Sequence, residues 1–224
     1  MSAKKISDYV EVIQKISPQK NFEVGKCASP IWQNKLDELP SAREAFVRGG
    51  EIKISRKTLF GKLDGETRLI GILLWGYPRG MRGGYLNGIL ENQGSILSAL
   101  QEYGKSFHEC FEKLYKIRGL GLSTITKILY FFEIKTDDGY YVPIIDRYVR
   151  ESMSLFDEFE SLCEDNDFEK LINDTAKSFA SIEGVEFDDV EYFLFDLGRS
   201  WNKEKGKYMK NYIDDYKAKA FNKK

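Results

Sequence analysis

The sequence predicts a mostly α-helical protein. Few segments alternate apolar and polar residues as strands do, whereas several runs repeat apolar residues every three to four positions. Of the 224 residues, 42% are hydrophobic and 31% are charged, which is sufficient for one large core or two small ones. We expect a single domain over 1–224, with approximate subdomains formed by 40–155 and by 1–39 together with 156–224.

Prolines, glycines and capping residues divide the first half of the chain. Pro30 and Pro40 each stand where a helix can begin, Asp64 is suited to an N-cap, and Gly49-Gly50 interrupts the pattern. Residues 51–60 fit a short strand and a turn into a helix equally well. The helices expected here cover 4–16, 30–39, 40–48 and a segment from 64 to about 74.

The second half has the same helical character but an uneven charge. Residues 157–174 carry eight acidic side chains against one lysine, so we expect this face to point away from a polyanion. Residues 202–224 carry eight lysines against three acidic residues, and a frayed, solvated end is favoured over a tail that binds phosphate backbones. A helix is an open alternative there, because Tyr208, Tyr212, Tyr216 and Ala220 are spaced four residues apart. The helices expected here cover 91–103, 106–115, a segment beginning near 122, 144–156, 167–182 and 187–200.

A loop over 75–85 combines features that a plain connection rarely has. It contains four glycines, one proline, two arginines and three aromatic residues. Arg79 and Arg82 could hold phosphates while Trp75 and Tyr77 stack on bases, which would make the loop a contact with nucleic acid. Alternatively, Trp75 and Tyr77 fill the core. Both interpretations remain open at the level of the sequence.

Residues 117–146 carry the strongest functional pattern. Gly119 and Gly121 allow positive φ angles and close backbone approach, and the helix that follows them leaves amide groups free at its N-terminus. Such a terminus binds phosphate, so we expect DNA contacts along this segment. Asp146 returns after a proline, either as the N-cap of a helix or as a catalytic carboxylate. The predicted DNA-contacting residues are Gly119, Leu120, Gly121, Leu122, Ser123 and Thr124.

Two motifs in this stretch carry a resemblance to a known family. Ile117-Arg118-Gly119-Leu120-Gly121 followed by Pro143-Ile144-Ile145-Asp146 resembles the helix-hairpin-helix (HhH-GPD) DNA glycosylase superfamily. The chain departs at Arg118, where that superfamily usually has proline. Trp75-Gly-Tyr-Pro-Arg-Gly and Phe195-Asp-Leu-Gly-Arg199 resemble a bacterial branch with the 8-oxoguanine-DNA-glycosylase fold. The hairpin alone also occurs in ligases, nucleases and polymerases; the downstream Pro-x-x-Asp is more specific.

The resemblance implies two helical subdomains with a helix-hairpin-helix motif and a cleft between them. A monomer would bind double-stranded DNA, flip a damaged or modified base and excise it, in base-excision repair or in defence against modified foreign DNA. Asp146 would stabilise the sugar as the base departs, and Trp75, Tyr77 and Trp201 would line the base pocket. A non-catalytic helix-hairpin-helix DNA-binding module and a protein-interaction scaffold are the alternatives.

The resemblance leaves the nucleophile open. In members that also cleave the strand, a lysine stands two residues after the second hairpin glycine, and this chain has Ser123 there. Lys127 lies one helical turn further on the same face, so it is the candidate amine for AP-lyase activity. The alternative is a lysine that only contacts a phosphate or an acid.

The expected cofactors are few. The superfamily's iron–sulfur cluster needs four neighbouring cysteines, and this chain has three that are far apart, so we expect no cluster and reduced thiols in a cytoplasmic, nucleoid-associated protein. No metal site is certain; the resemblance leaves room for a monovalent cation on the Ile117 and Gly119 carbonyls. No run of 18 apolar residues and no apolar signal core occur, so no membrane partner is expected.

Overall fold

A computed structural model describes residues 4–17, 30–81, 85–104, 106–164, 167–204 and 209–222, and most of them are helical. The predicted fold class is confirmed. Two 3-10 helices cover Ile6–Tyr9 and Glu102–Gly104. The α-helices are α1 (Val10–Ile16), α2 (Pro30–Glu38), α3 (Pro40–Phe46), α4 (Arg56–Leu59), α5 (Gly65–Gly76), α6 (Tyr85–Glu91), α7 (Gln93–Gln101), α8 (Phe107–Tyr115), α9 (Leu122–Phe131), α10 (Arg147–Met153), α11 (Asp157–Glu164), α12 (Phe168–Ala180), α13 (Phe187–Lys203) and α14 (Met209–Asn222).

The chain divides into two compact units, which are described separately. The hairpin unit comprises Asn21–Asp137, and the aspartate unit comprises Met1–Lys20 together with Asp138–Lys224. This division differs from the predicted subdomains 40–155 and 1–39 with 156–224. The predicted boundaries put Asp146 and the glycine hairpin in one subdomain, whereas the structure puts them in different units.

The hairpin unit is organised around α5 and α9. Apolar residues occupy nearly every position of α5 from Leu69 to Trp75, so this helix is buried on all sides and packs against α3 and α9. Gly71 makes the close approach of α3 possible, because a Cβ there would lie 2.6 Å from the Phe46 ring. Each fully buried Leu, Ile or Phe side chain contributes about 1.5–3 kcal/mol to folding.

Residues 51–60, which the sequence left ambiguous, form both expected structures. Glu51–Ile52 pairs antiparallel with Val47–Arg48, and Gly49-Gly50 makes the turn with φ angles of 61° and 76°. The chain then enters α4, where the Ser55 hydroxyl caps the helix by accepting from the Thr58 amide. Asp64 caps α5 in the same way, as predicted.

The aspartate unit is held together by α10 and α13. Gly198 of α13 lies so close to α10 that an added Cβ would be 2.4 Å from the Tyr148 carbonyl oxygen. The aromatic rings of Tyr9, Phe156 and Phe193 form the neighbouring core, with centroids 5.6–6.1 Å apart. The N-terminal helix α1 and the C-terminal helix α14 both pack on α13, so residues from the two ends of the chain share one core.

Two sequence expectations for the aspartate unit are wrong. The helix expected over 144–156 begins only at Arg147, because Ile144 and Ile145 are buried in an irregular segment. The acidic stretch before α12, for which no secondary structure was predicted, forms helix α11 over Asp157–Glu164. The end of the chain is not frayed over 209–222, because Tyr212, Ile213, Tyr216 and Ala220 repeat at helical spacing and are buried. No helix of the described part is long and apolar enough to span a membrane.

Candidate functional site

The glycine hairpin, Ile117–Gly121, joins α8 to α9 in the hairpin unit. The Leu120 amide donates to the Ile117 carbonyl at 3.1 Å and closes the turn. Gly119 has a φ of +98°, a conformation that an L side chain rarely adopts, so glycine is required there. Gly121 has an ordinary φ of −88°, contrary to the expectation for both glycines. The space beside Gly121 is open, since nothing lies within 4 Å of a Cβ built on it.

The hairpin leaves backbone amides unpaired at the start of α9. The amides of Thr124 and Ile125 donate to the Gly121 carbonyl at 2.9 and 3.0 Å. Within the described part of the chain, no acceptor meets the amides of Gly121, Leu122 and Ser123. These three donors lie at the positive end of a ten-residue helix, so the geometry suits an anion.

The loop that follows α5 has only part of the character that the sequence indicated. Trp75 belongs to α5 and is 8% exposed, with its ring 5.3 Å from Phe131 in an edge-on contact, which favours the core interpretation. Arg79 is exposed, as expected for a residue that meets a phosphate. Arg82 lies outside the described residues.

Tyr77 connects this loop to α9. Its hydroxyl and that of Thr124 share a hydrogen bond of 2.7 Å, and its carbonyl accepts from the Trp32 indole at 2.8 Å. The Tyr77 ring lies under the Lys127 ammonium, whose nitrogen is 5.6 Å from the ring centroid. Tyr77 is therefore anchored at its backbone, its ring and its hydroxyl.

Lys127 is the buried cation of this cluster. The residue is 5% exposed, and its Nζ donates to the Ser123 carbonyl at 3.1 Å and to the Ser123 hydroxyl at 2.6 Å. Gly76 makes room for the lysine stem, because a Cβ there would lie 3.0 Å from its Cδ. Among the residues that the structure describes, no carboxylate pairs with Lys127, which leaves its amine held by neutral oxygens.

Asp146 stands at the start of α10 in the aspartate unit. Its Oδ1 accepts from the amides of Tyr148 and Val149 at 2.9 and 3.0 Å, so the side chain is an N-cap. Its Oδ2 has no hydrogen-bond donor within the described ranges. The preceding residues Val142–Ile145 are buried and fix the approach of the chain. One oxygen therefore orients the carboxylate and the other is left for a ligand.

Two aromatic side chains that sequence reasoning missed as site residues lie in the same unit as Asp146. The Tyr148 ring meets Phe195 of α13 edge-on, with centroids 5.8 Å apart, and the Arg199 guanidinium lies 5.9 Å from the Phe195 centroid. Tyr148 and Phe195 are both half-buried, which leaves part of each ring accessible. Phe195 was visible only as part of a motif. Trp201, the predicted pocket residue, is half-buried at the end of the same helix.

The structure therefore brings the predicted residues together in two groups. In the hairpin unit, hydrogen bonds join Tyr77 to Thr124 and Lys127 to Ser123, and the Lys127 ammonium over the Tyr77 ring joins the two pairs into one cluster. In the aspartate unit, the Asp146 carboxylate accepts from the Tyr148 amide, and the Tyr148 ring meets Phe195. The sequence signal for the first group was helical spacing along α9, whereas Gly76 carried no signal that distinguished it from other loop glycines.

The described residues contain no group of three His, Cys, Asp or Glu side chains that could hold a metal ion. Cys110 is a free thiol in the hairpin unit, and its burial raises its pKa to about 11. The Ile117 carbonyl, one of the two expected to bind a monovalent cation, accepts the Leu120 amide and keeps a second lone pair.

Comparison with protein families gives one match. The model of the family described as "Putative 8-oxoguanine DNA glycosylase OGG-like protein" matches residues 23–195. That range contains the glycine hairpin, Lys127, Asp146 and Phe195. Neither the curated proteins nor the solved structures contain a match to this chain.

Proposed function

We propose that this protein excises a damaged or modified base from double-stranded DNA. The chain belongs to the family described as putative 8-oxoguanine DNA glycosylase OGG-like proteins, and the proposal proceeds from that membership. Membership supports a DNA glycosylase at a coarse level. The identity of the reacting residues is the finer part of the proposal, and it rests on the geometry of the two groups described above.

The observation that carries the proposal is the divided role of Asp146. Oδ1 is fixed by two backbone amides, and Oδ2 is left for a ligand. A carboxylate held in this way offers a fixed negative charge to a sugar that becomes positive at C1′ as the base departs. Water then adds to C1′, and the base leaves with the electrons of the glycosidic bond and a proton.

The hairpin supplies the binding that this chemistry needs. Three amides at the start of α9 would hold one phosphate, with the exposed Arg79 as a second contact. Arg82 remains a predicted contact from the sequence. A monovalent cation on the carbonyls of Ile117 and Gly119 fits the remaining lone pairs, and we retain it as part of the proposal.

The base itself needs an aromatic surface once it leaves the stack. Tyr148 and Phe195 are half-buried, and the Tyr148 amide donates a hydrogen bond to the Asp146 carboxylate. These two rings are therefore the stacking surface that we assign to the flipped base. Tyr77 and Trp201 remain predicted pocket residues, while the burial of Trp75 favours its structural role.

A second activity, strand cleavage through Lys127, is favoured by one distance. The resemblance puts the lysine of strand-cleaving members at the position of Ser123, and the Lys127 Nζ lies 2.6 Å from the Ser123 hydroxyl. Lys127 therefore holds its amine beside the residue that takes the place of that lysine, which supports it as the candidate amine. Attack of its nitrogen on C1′ would displace the base with the electrons of the glycosidic bond, and opening of the sugar ring at the bond between C1′ and the ring oxygen would give the Schiff base. Loss of a C2′ proton would then expel the 3′-phosphate with the electrons of its bond to C3′.

The experiment compares Asp146→Asn with Asp167→Asn in the full-length protein. Asparagine keeps the N-cap and removes the charge, and Asp167 caps α12 with a bond of 3.0 Å from the Lys170 amide. Both are incubated with duplexes that carry oxidised, alkylated, deaminated or glycosylated bases, and abasic sites are revealed by hot alkali. We expect base release to be lost in Asp146→Asn alone.

Equal activity in Asp146→Asn and in the native protein would refute catalysis by this carboxylate. If the native protein binds duplex DNA in a salt-dependent manner and yields no abasic site on any substrate of the panel, it is a non-catalytic DNA-binding module. If it binds no duplex at low salt, the hairpin is only a structural turn.

A further inference from the structure

Two exposed side chains flank the glycine hairpin and have no part in the function proposed so far. Arg118 lies in the turn itself, and Tyr85 is the first residue of α6. We propose that these two side chains form a DNA-backbone clamp, in which the Arg118 guanidinium holds a phosphate next to the one at the α9 amides and the Tyr85 ring packs on the adjoining sugar and base. This inference rests on the proposed function.

The first observation is the charge of Arg118. Two neighbouring lysines are neutralised, since Lys113 pairs with Glu102 and Lys116 lies 3.2 Å from the Glu112 carboxylate. Arg118 is exposed, and no carboxylate within the described part of the chain lies at ion-pair distance from it. Its charge is therefore open to an external anion.

The second observation is the contact between Tyr85 and the hairpin. Tyr85 is 49% exposed, yet its Cβ and Cδ1 both lie 3.4 Å from the position of a Cβ built on Gly119. The ring thus rests on the hairpin backbone with the rest of its surface in solvent. A large aromatic side chain in this position loses little conformational freedom when it binds, because the protein already fixes it.

The support beneath both residues is rigid. Leu86 and Ile89 of α6 are buried, and the Ile89 side chain also approaches Gly119, at 3.5 Å from the built Cβ. A Cβ on Gly88 would lie 4.0 Å from the Arg118 carbonyl oxygen, so α6 runs along the hairpin backbone. Tyr85, Arg118 and the free amides consequently form one surface of the hairpin unit.

The chemistry of that surface fits a nucleic-acid backbone. Amides and a guanidinium bind successive phosphates, and a tyrosine ring stacks on sugars and bases of any sequence. The clamp should therefore strengthen binding to all duplexes equally, damaged or not. Base recognition would remain with the residues around Asp146.

The test measures duplex binding by fluorescence anisotropy from about 50 to 200 mM salt, the range over which phosphate contacts change affinity steeply. Arg118→Gln is compared with Lys116→Gln, which removes a neighbouring charge that is already paired. Tyr85→Ala is compared with Tyr85→Phe, which keeps the ring. Circular dichroism and thermal unfolding of each variant verify that it folds.

We expect Arg118→Gln to weaken binding about fivefold at low salt and to reduce the slope of log K against log salt by about 0.9, the value for one phosphate. Lys116→Gln should change the slope much less. Tyr85→Ala should weaken binding about fivefold or more with an unchanged slope, because stacking releases no counterion, and Tyr85→Phe should restore it.

The inference is overturned if folded Arg118→Gln binds with the affinity and slope of the native protein, or if Lys116→Gln has an equal effect. It is also overturned if Tyr85→Ala binds normally. These results would leave base excision intact, whereas a native protein that excises no base fails the proposed function and can still show the clamp in its binding curves.

Discussion

The hairpin unit and the aspartate unit present their functional groups in different ways. In the hairpin unit, the candidate anion site is made of backbone amides that are consecutive in the sequence and follow Gly119, whose φ is +98°. In the aspartate unit, the candidate reacting group is one side chain, held by two amides of α10. Under the proposed function, binding would depend on backbone geometry and chemistry on a single charge, and mutations should separate the two.

The largest effects should come from two variants, one that removes the charge of Asp146 and one that changes the backbone at Gly119. Asp146→Asn should lower the single-turnover rate of base release by about 10²–10³-fold, the usual cost of losing a charge that stabilises a transition state, and leave duplex affinity nearly unchanged. Gly119→Val should weaken duplex affinity by about tenfold, because a hairpin that relaxes away from this φ moves the amides that would hold the phosphate. Rates are measured at saturating protein, and affinities by anisotropy.

The separation of binding from chemistry would be contradicted if Gly119→Val slowed base release at saturating protein as strongly as Asp146→Asn does. Such a result would mean that the hairpin contributes to the chemical step and not only to binding. A loss of affinity in Asp146→Asn would likewise contradict the separation.

Lys127 tests whether the hairpin unit contributes chemistry of its own. Borohydride added during reaction with the active substrate should trap a protein–DNA adduct, and Lys127→Met should reduce it by about tenfold or more, because the Schiff-base nitrogen is gone. Ser123→Ala should increase the adduct, since it removes the shorter of the two hydrogen bonds that hold the amine and leaves only the one to the residue 123 carbonyl. An unchanged adduct in Lys127→Met would exclude Lys127, and no adduct with intact base release would make the enzyme monofunctional.

Gly198 in the aspartate unit and Gly71 in the hairpin unit allow the packing of the two units to be compared. A Cβ at Gly198 would lie 2.4 Å from the Tyr148 carbonyl oxygen, whereas a Cβ at Gly71 would meet the ends of the Leu59 and Phe46 side chains at 2.6 Å. Side chains can shift and a helix backbone cannot easily do so. Gly198→Ala should therefore cost about 2–3 kcal/mol of unfolding free energy and Gly71→Ala about 1 kcal/mol, measured in urea.

Equal costs for Gly198→Ala and Gly71→Ala would show that the contact between α10 and α13 yields as easily as the side chains around α5. Because α10 begins at the residue after Asp146, we also expect Gly198→Ala to slow base release more than Gly71→Ala does.

The smallest effect should appear at high pH. Burial, with help from Asp214 and Asp8, raises the pKa of Tyr9 from 10.0 to about 12 in the aspartate unit, and burial raises the pKa of Cys110 from 9.0 to about 11 in the hairpin unit. Because the folded protein favours the neutral form of both groups, each contributes to the free energy of unfolding. This contribution is complete below the pKa of the group in the unfolded chain and is lost as the pH rises through its pKa in the folded protein.

Thermal unfolding between pH 8 and 12 checks this dependence. We expect the melting temperature to fall by a few degrees above pH 10, and to fall less in Tyr9→Phe, which has no phenol to ionise. Tyr216, whose pKa is raised by burial and by the Asp196 carboxylate that accepts its hydroxyl, should ionise only after unfolding. An identical pH dependence in Tyr9→Phe and the native protein would contradict the role of Tyr9.

Much of the local structure was predictable from the sequence. The Asp64 cap, the helix begun by Ser106 and the turn at Gly119 follow from short patterns of capping and backbone freedom. The sequence failed where burial overrode local preference. Ile144 and Ile145 are helical by pattern, yet burial holds them in the irregular segment before Asp146. The basic C-terminal stretch looked solvated because its lysines outnumber its acids, although Tyr212 and Tyr216 bury one face of α14.

The sequence by itself determined the helical class, the hairpin glycines and the two candidate residues Lys127 and Asp146, because each depends on residues close together in the chain. Only the tertiary structure decided what surrounds them. Gly76 and Tyr77 come from another helix and its loop to enclose Lys127, and Phe195 comes from α13 to meet the Tyr148 ring. These contacts join residues far apart in sequence, whose proximity depends on how whole helices pack and not on any local pattern.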